Sequence, residues 1–202
     1  MQSILDGYAA AATPSFVAAY DALSPEMIYE HVIDLFPKRP CKVADIGAGT
    51  GRDAAWFSKK GHQVVAVEPV SELREAGQAL HRSNKISWLD DRLPHLAHMQ
   101  PGERFDLVTL CAVWQHLSND RRALAIPRLA ELIAPGGRVV MSLRHGPGGE
   151  GRPVFPVSVE TTVDAAADCG LRLVRRREAE SVQEGNRIMG VFWTWVVFEN
   201  VR

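Results

Sequence analysis

A short apolar run that ends in a glycine-rich turn constrains the fold of this chain more than any other stretch. The segment from Val43 to Asp53 reads VADIGAGTGRD and places glycines at alternating positions, Gly47, Gly49 and Gly51. Because glycine has no Cβ, it allows sharp turns and lets the backbone approach a ligand closely. A helical pattern follows directly, and the first N–H groups of a helix are free to bind a ligand. The segment therefore predicts a strand–turn–helix unit with a binding site at the turn.

The residues around the glycines exclude two common phosphate-binding loops. The dinucleotide-binding loop needs a third glycine where this chain has Arg52, and the P-loop needs a Gly-Lys-Ser/Thr sequence that is absent. Asp45 instead places a carboxylate in the turn, where it repels phosphate and suits a ligand with cationic groups and hydroxyls. Seventeen residues after Gly51, a second apolar run ends in Glu68, whose carboxylate can accept both hydroxyl protons of a ribose.

Asp45, the three glycines and Glu68 together resemble motif I of class I S-adenosylmethionine-dependent methyltransferases. This resemblance implies that the turn holds the amino-acid end of S-adenosylmethionine, that Glu68 binds the ribose, and that Arg52 reaches the cofactor carboxylate. The alternative is a glycine-rich connection in another kind of α/β protein. The resemblance predicts as cofactor-binding residues Asp45, Gly47, Ala48, Gly49, Arg52, Glu68, Pro69, Asp91, Arg92, Cys111 and Ala112.

Strand and helix patterns alternate from Cys41 onwards, which predicts a parallel sheet with helices on both faces. The resemblance implies an α/β, Rossmann-like, seven-stranded and mostly parallel sheet, in which an antiparallel last strand lies beside the fifth. No helix is predicted between the last two strands, so these are expected to pair antiparallel. The predicted strands are Lys42–Ile46, Gln63–Glu68, Lys85–Leu89, Phe105–Leu110, Gly137–Leu143, Leu171–Arg177 and Gly190–Glu199. The predicted helices are Arg52–Lys60, Ser71–Arg82, Asp120–Ile133 and Val159–Cys169, with earlier ones starting at Thr13-Pro14 and at Ser24-Pro25, the latter running to Leu35.

The domain organisation is predicted to be a single methyltransferase domain over residues 1–202. Within it, residues 1–40 form an N-terminal helical cap and residues 41–202 form the Rossmann-like core. The cap either covers one edge of the sheet or forms a lid over the active site, with Tyr8 or Tyr20 reaching inward. The resemblance favours the lid.

Two adjacent acids follow the third predicted strand, in the sequence Asp90-Asp91-Arg92. The resemblance implies that an acid here accepts a hydrogen bond from the exocyclic amine of adenine, while the next backbone N–H donates to a ring nitrogen. Either Asp90 or Asp91 fits, and Asp91 is preferred because it lies further past the strand. The alternative is a carboxylate that caps the backbone of its own loop.

The segment after the fourth predicted strand, from Cys111 to Leu117, resembles the motif IV region of the same family. Ligands bind at the carboxyl ends of strands in open α/β sheets, so Cys111 and Ala112 are expected at the sulfonium end of the cofactor. His116, with an ordinary pKa of about 6.5, is the candidate catalytic base, and the alternative is a structural histidine. Trp114 either covers the sulfonium with its ring face or packs in the core. The candidate acceptor-side residues are Trp114, Gln115, Arg144 and His145.

The fifth predicted strand ends in Arg144 and His145 and continues into a glycine-rich loop. Four glycines within residues 146–151 predict a mobile loop suited to gating. Arg144 is interpreted either as a clamp for a substrate carboxylate or phosphate, or as a structural partner of a nearby acid.

Bulk properties narrow the classes of partner. The formal net charge of −1 predicts no nucleic-acid surface, and the Asn-Pro-Pro-Tyr and Asp-Pro-Pro-Tyr motifs of enzymes that methylate base amines are absent. The basic run from Arg172 to Arg177 has no interleaved aromatic residue and is interpreted as a solvated edge. Three sparse cysteines, with no apolar span and no signal peptide, predict a cytoplasmic protein that has no metal site and no membrane contact.

The sequence therefore predicts methyl transfer from S-adenosylmethionine to an unidentified small-molecule acceptor, by SN2 attack on the sulfonium methyl. The alternative is a non-catalytic module of the same fold that binds S-adenosylmethionine as a regulator or scaffold. A nucleotide-dependent oxidoreductase is disfavoured because Arg52 replaces the dinucleotide-binding glycine.

Overall fold

Seven strands make one sheet in the computed structural model, which describes residues 2–202. The strands are β1 (Lys42–Ile46), β2 (Gln63–Val67), β3 (Ile86–Leu89), β4 (Phe105–Leu110), β5 (Ile133–His145), β6 (Leu171–Glu180) and β7 (Phe192–Asn200). Their spatial order is β3-β2-β1-β4-β5-β7-β6. The first five strands pair in parallel, and β7 pairs antiparallel with both β5 and β6. The predicted Rossmann-like, seven-stranded sheet with an antiparallel last strand is confirmed.

Helices cover both faces of this sheet, because the residues of each central strand alternate between two apolar clusters. In β1, Ala44 and Ile46 join a cluster that includes Leu129, whereas Val43 joins another that includes Phe57. The helices are α1 (Gln2–Ala11), α2 (Pro14–Asp21), α3 (Pro25–Ile28), α4 (Arg52–Lys59), α5 (Ser71–Leu80), α6 (Asn119–Leu132), α7 (Val159–Asp168) and α8 (Glu184–Ile188). Two 3₁₀ turns cover Ile33–Leu35 and Trp114–His116.

Of the three helices that precede β1, α2 and α3 begin where the sequence predicts. Thr13 caps α2 by accepting from the Phe16 N–H, and Ser24 caps α3 by accepting from the Met27 N–H. The prediction that the second of these helices runs to Leu35 is wrong, since α3 ends at Ile28. The chain turns there and brings the next residue, a tyrosine, fully into the core.

The largest further differences from the predicted elements concern β5 and the connection between β6 and β7. β5 begins at Ile133 rather than at the predicted Gly137, and residues 134–137 form an irregularity inside the pairing of β4 with β5. Helix α8 lies in the polar connection between β6 and β7, where no helix was predicted. A polar segment of five helical residues carries too short an apolar pattern to be read from sequence.

The basic run on β6 is held in ion pairs. Arg172 pairs with Glu199, whose other oxygen binds an arginine of β5, and Arg175 pairs with Asp34. Arg176 pairs with an acid in the first turn of α7. These arginines are thus part of a charged, partly exposed edge.

Candidate cofactor and acceptor site

A cavity of about 850 Å³ lies at the carboxyl ends of β1, β4 and β5. Residues of α1 and α2 close it from the other side, through Tyr8, Phe16 and Tyr20. We call these two helices the lid. The volume lies near the upper end of the roughly 300–1,000 Å³ typical of small-molecule sites. The lid that the sequence predicts therefore faces the cavity rather than only an edge of the sheet.

The glycine-rich turn after β1 forms one wall of the cavity. The N–H groups of Gly47 and Ala48 both donate to the Val67 carbonyl, at 2.8 and 2.9 Å. Gly47 has φ +73°, and a Cβ there would lie 2.5 Å from the Val113 side chain. Gly49 has φ +56° and faces open space. Glycine is required at the first position for packing, while the second leaves room for a ligand.

Asp45 lies below this turn with one unsatisfied oxygen. The carboxylate is buried, and its Oδ1 accepts from the Thr109 hydroxyl at 2.9 Å. Oδ2 has no hydrogen-bond partner within residues 2–202. Burial raises the pKa of Asp45 above its ordinary value. A buried carboxylate oxygen without a partner is costly, so the position fits a cationic or hydrogen-bond-donating group of a ligand.

Arg52 opens α4 and is bound by its neighbour in sequence. Its Nε and Nη2 donate to the two oxygens of Asp53 at 2.6 and 2.9 Å, and the Tyr29 hydroxyl donates to the same carboxylate at 2.8 Å. Asp53 is buried, so this pair is held away from water. Arg52 lines the cavity with its charge already compensated, and its contact with a cofactor carboxylate stays a prediction.

Glu68 lies beside the glycine turn, as the resemblance implies. Its two oxygens accept from the Gly49 and Val70 N–H groups, at 2.7 and 2.8 Å, and burial raises its pKa to about 7. Val70 and Leu73 pack against Val17 of the lid. The lid therefore covers the surroundings of Glu68, and its contact with ribose stays a prediction.

Asp91 is engaged within its own loop. Its oxygens accept from the Arg92 and His98 N–H groups at 2.8 and 2.7 Å, which is the loop-capping alternative. Asp90 is exposed and pairs with Arg74. Contact of either acid with adenine stays a prediction. The predicted cofactor-binding residues that do not line the cavity in this conformation are Asp45, Glu68, Pro69, Asp91 and Arg92.

The chain leaves β4 through a strained residue at the cavity wall. Ala112 has φ +59°, a conformation uncommon for residues with a Cβ. Its N–H donates to the Ser142 hydroxyl at 2.8 Å, and its carbonyl accepts from the Gln115 amide at 2.6 Å. Burial raises the pKa of the neighbouring Cys111 to about 12, so this residue remains a thiol. Cys111, Ala112 and Gln115 thus line the cavity, and their contacts with cofactor or acceptor stay predictions.

His116 presents a neutral nitrogen to the lid. Its Nδ1 lies 3.2 Å from the Pro153 carbonyl, which can only accept, so Nδ1 carries the hydrogen. Nε2 is therefore an acceptor, and the Tyr8 hydroxyl donates to it at 3.0 Å. Burial, followed by smaller effects that include nearby arginines, lowers the pKa of His116 to about 4. Of the two tyrosines considered for the lid, Tyr8 is the one that bonds the candidate base.

Two acceptor-side predictions are wrong, because the side chains point away from the cavity. Trp114 is buried in the core and its indole N–H donates to Thr162 at 3.3 Å, so the core-packing alternative holds. Successive residues of a strand face opposite sides of the sheet. Arg144 at the end of β5 therefore lines the cavity, while His145 stacks on Phe192 on the other side.

Arg152 is a cavity residue that sequence analysis missed. It follows the glycine-rich loop after β5, and its guanidinium lies 5.2 Å from the ring centres of both Tyr8 and Phe16. The only signal in the sequence was the loop itself, which predicted mobility there but did not single out this side chain.

The titration of His116 gives a stability prediction. The unfolded chain binds this proton near the ordinary pKa of about 6.5, whereas the folded chain binds it only near 4, so stability is lost as pH falls through that window. His116→Gln removes this contribution. We expect the variant to lose less unfolding free energy than the wild type between pH 7 and 4.5, measured by urea denaturation. Equal losses in the two proteins would contradict a buried neutral histidine.

Two kinds of feature were not found in the part of the chain that the structure describes. No helix there has the length and apolarity needed to cross a bilayer. Within residues 2–202, no three His, Cys, Asp or Glu side chains gather as ligands for a metal ion.

Known proteins resemble this chain in sequence over the first part of the sheet and the glycine-rich turn. Residues 43–137 match the family model described as "Methyltransferase domain". A ubiquinone biosynthesis O-methyltransferase of Bradyrhizobium sp. (strain ORS 278) is 35% identical over 101 residues, which are 50% of this chain and 39% of that protein. The chain thus spans about two fifths of the length of this relative.

Solved structures agree on the fold. The TehB-like S-adenosylmethionine-dependent methyltransferase of Corynebacterium glutamicum superposes with a TM-score of 0.66 at 20% identity, covering 93% of this chain and 100% of that one. The 1,6-didemethyltoxoflavin-N1-methyltransferase of Burkholderia thailandensis, solved with 1,6-didemethyltoxoflavin and S-adenosylhomocysteine, gives 0.67 at 20% identity, covering 92% and 78%. The order of the seven strands and the glycine turn after β1 show that this chain has the fold of the class I S-adenosylmethionine-dependent methyltransferases, with the methyltransferase domain family matched over residues 43–137.

Proposed function

We propose that this chain transfers a methyl group from S-adenosylmethionine to a small-molecule acceptor. The observation that carries the proposal is the buried, unpartnered Oδ2 of Asp45 below a turn whose Gly49 opens onto the cavity. This donor set fits a ligand that combines a cationic group with hydroxyls. When bound, S-adenosylmethionine supplies an electrophilic methyl on a sulfonium. We propose that the reaction takes place in the cytosol, a proposal supported by the free thiols of Cys41, Cys111 and Cys169.

The residues that would hold the cofactor lie along one edge of the sheet. Asp45 would face its ammonium group, the turn from Gly47 to Gly49 would hold its amino-acid end, and Glu68 would accept from the ribose hydroxyls. Cys111 and Ala112 would border the methyl-bearing end. Alignment and exclusion of water supply much of the rate in such a displacement, and an enclosed cavity provides both.

His116 is the proposed base for an acceptor that carries a hydroxyl. Its Nε2 would take the hydroxyl proton, while Nδ1–H stays on the Pro153 carbonyl and fixes the orientation of the ring. The Tyr8 hydroxyl donates to this nitrogen in the structure, so the acceptor hydroxyl would replace it. A general base contributes about 10²- to 10⁴-fold to such reactions.

Calorimetric titration with S-adenosylhomocysteine tests the proposal. We expect the wild type to bind it and Glu68→Ala to bind at least about tenfold more weakly, because two hydroxyls lose a charged acceptor. Glu72→Ala is the matched control, since this exposed acid of α5 hydrogen-bonds only Ser71 among the described residues. Absence of binding by the wild type, or unchanged binding in Glu68→Ala, would reject the assignment.

One observation favours a non-catalytic module as the second candidate. Tyr8 blocks the basic nitrogen of His116, and the lid covers the surroundings of Glu68. A module that only binds the cofactor would show no turnover of labelled S-adenosylmethionine with a cell extract as the source of acceptors, whereas an enzyme would consume it.

A further inference from the structure

We propose that the methyl acceptor carries an anionic group, a carboxylate or a phosphate, which Arg144 and Arg152 bind beside His116. This inference rests on the proposed function and specifies the acceptor of the same site. Its basis is a pair of guanidinium groups in the cavity that have no acidic partner within residues 2–202.

Arg152 is the less satisfied of the two. Its guanidinium donates to no protein acceptor in the part of the chain that the structure describes, and its Nε is buried without a partner. The flat faces of the Tyr8 and Phe16 rings lie 5.2 Å from the group and fix its position through cation–π contacts. The rings satisfy the face of the guanidinium but none of its N–H donors. An acceptor for those donors must come from a ligand or from water.

Arg144 is oriented but not neutralised. Its Nε and Nη2 donate to the Pro147 carbonyl at 3.1 and 2.7 Å, and Nη2 also reaches the Asn186 amide oxygen at 3.3 Å. The guanidinium lies 5.4 Å from the Trp193 ring centre. These neutral contacts leave Nη1 without an acceptor within residues 2–202. The side chain is thus held in place with two donors free.

The acids of the cavity do not compensate these charges. Asp53 is taken by Arg52. The other acids that line the cavity are Glu30, Glu178 and Glu180, and none lies within 4.0 Å of a guanidinium nitrogen of Arg144 or Arg152. The unpaired donors of Arg152 form a planar fork that matches carboxylate and phosphate oxygens, which accept paired N–H bonds, and Nη1 of Arg144 adds free donors to the same cavity.

Arg144 and Arg152 are positioned so that binding of an anion can change the basicity of His116. Arg152 stacks on the Tyr8 ring, whose hydroxyl bonds His116, and Arg144 lines the same cavity. After burial, which is the largest cause, both arginines lower the pKa of His116. An anion bound between them would cancel this effect. The pKa of His116 would then rise when the acceptor binds, and Nε2 would become a stronger base only in the presence of the correct ligand.

Three probes that share one ring test the inference: benzoate, phenyl phosphate and benzamide. Each is titrated by calorimetry into the full chain, with and without S-adenosylhomocysteine. We expect one or both anions to bind and benzamide to bind at least about tenfold more weakly, and the preferred anion identifies the head group. Arg144→Gln and Arg152→Gln should each weaken the preferred anion by roughly tenfold to hundredfold. Arg152→Lys should retain part of the affinity, because it keeps the charge without the fork.

The control is Arg172→Gln, since this exposed arginine is the second residue of β6, at the end of the strand away from the cavity, and pairs with Glu199. It should leave anion binding unchanged. NMR titration of His116 supplies a second readout, in which the preferred anion should raise the pKa. Equal affinity for benzamide, no binding of either anion, or unchanged affinity in both glutamine variants would overturn the inference. Anion binding without S-adenosylhomocysteine binding would instead reject the proposed function and leave the anion site standing.

Discussion

Asp45→Asn is expected to weaken binding of S-adenosylhomocysteine by about a hundredfold or more. The substitution keeps the shape of the side chain and an acceptor for the Thr109 hydroxyl, but it removes the charge from a buried site. Breaking a buried ion pair on one side costs about 3–5 kcal/mol, which corresponds to more than a hundredfold in affinity. The effect is measured by titration calorimetry at pH 8, because Asp45 and Glu68 are both ionised at that pH.

The control for this variant is Asp106→Asn, which changes an exposed acid near the start of β4, where it accepts from the Lys42 N–H. It should bind like the wild type. A loss of less than tenfold in Asp45→Asn, with the fold intact by circular dichroism, would mean that Asp45 does not pair with the cofactor's cationic group.

The same site is expected to give pH-dependent binding. Burial raises the pKa of Asp45, and that of Glu68 to about 7, so both carboxylates are partly protonated below neutrality. A bound ammonium group and ribose hydroxyls favour the ionised forms. Affinity should therefore increase as pH rises through 7, with protons released on binding below that value. Titrations in buffers of different ionisation enthalpy detect the released protons, and an affinity that stays flat from pH 6 to 8 would contradict this account.

The donor side of the site could be proposed from the sequence because its signals are local. A glycine in a tight turn and an acid at the end of a strand are recognised from only a few neighbouring residues. The order of the strands then follows from the alternation of strands and helices. Gly47 accordingly has a positive φ and lines the cavity, and Glu68 accepts from the Gly49 N–H, while the cofactor contacts of Asp45 and Glu68 stay predictions. The sheet was predictable for the same reason, since strands buried on both faces read as continuous apolar runs.

The acceptor side was less predictable because its geometry depends on contacts between distant segments. The direction of Trp114 follows from a 3₁₀ turn that begins after the strained Ala112, and apolar periodicity does not encode such a turn. His116 meets Tyr8 across 108 positions of the chain. Arg152 acquires its place only when its loop packs against the lid. Residue type alone does not fix which of several polar side chains in a loop will face a cavity.

Gly7→Ala is expected to release the lid from the glycine-rich loop. Gly7 lies in the middle of α1, and a Cβ built on it would overlap the carbonyl oxygen of Gly151. Glycine costs a helix about 1 kcal/mol relative to alanine, so the alanine would strengthen α1 as an isolated helix. Gly7 therefore weakens α1 as a helix but lets it pack against the loop. The substitution thus separates the stability of the helix from the docking of the lid.

The expected result is faster opening of the lid with an intact sheet. Overpacking costs about 1–3 kcal/mol, so the open population should rise roughly five- to hundredfold. Hydrogen exchange of α1 and α2 should accelerate by that factor, while exchange in β1 and β4 stays unchanged. Dissociation of S-adenosylhomocysteine should accelerate as well, because the lid packs on residues next to Glu68.

Gly185→Ala is the matched control for this prediction. Gly185 is also helical, in α8, but a Cβ there meets no atom within 4 Å. It should leave lid exchange unchanged and be neutral or slightly stabilising, by up to about 1 kcal/mol. If Gly7→Ala exchanged its lid amides no faster than Gly185→Ala, close contact between α1 and the loop would not hold the lid. Faster lid exchange with unchanged dissociation of S-adenosylhomocysteine would show that the lid closes over the acceptor half of the cavity alone. The cofactor would then enter and leave without opening of the lid.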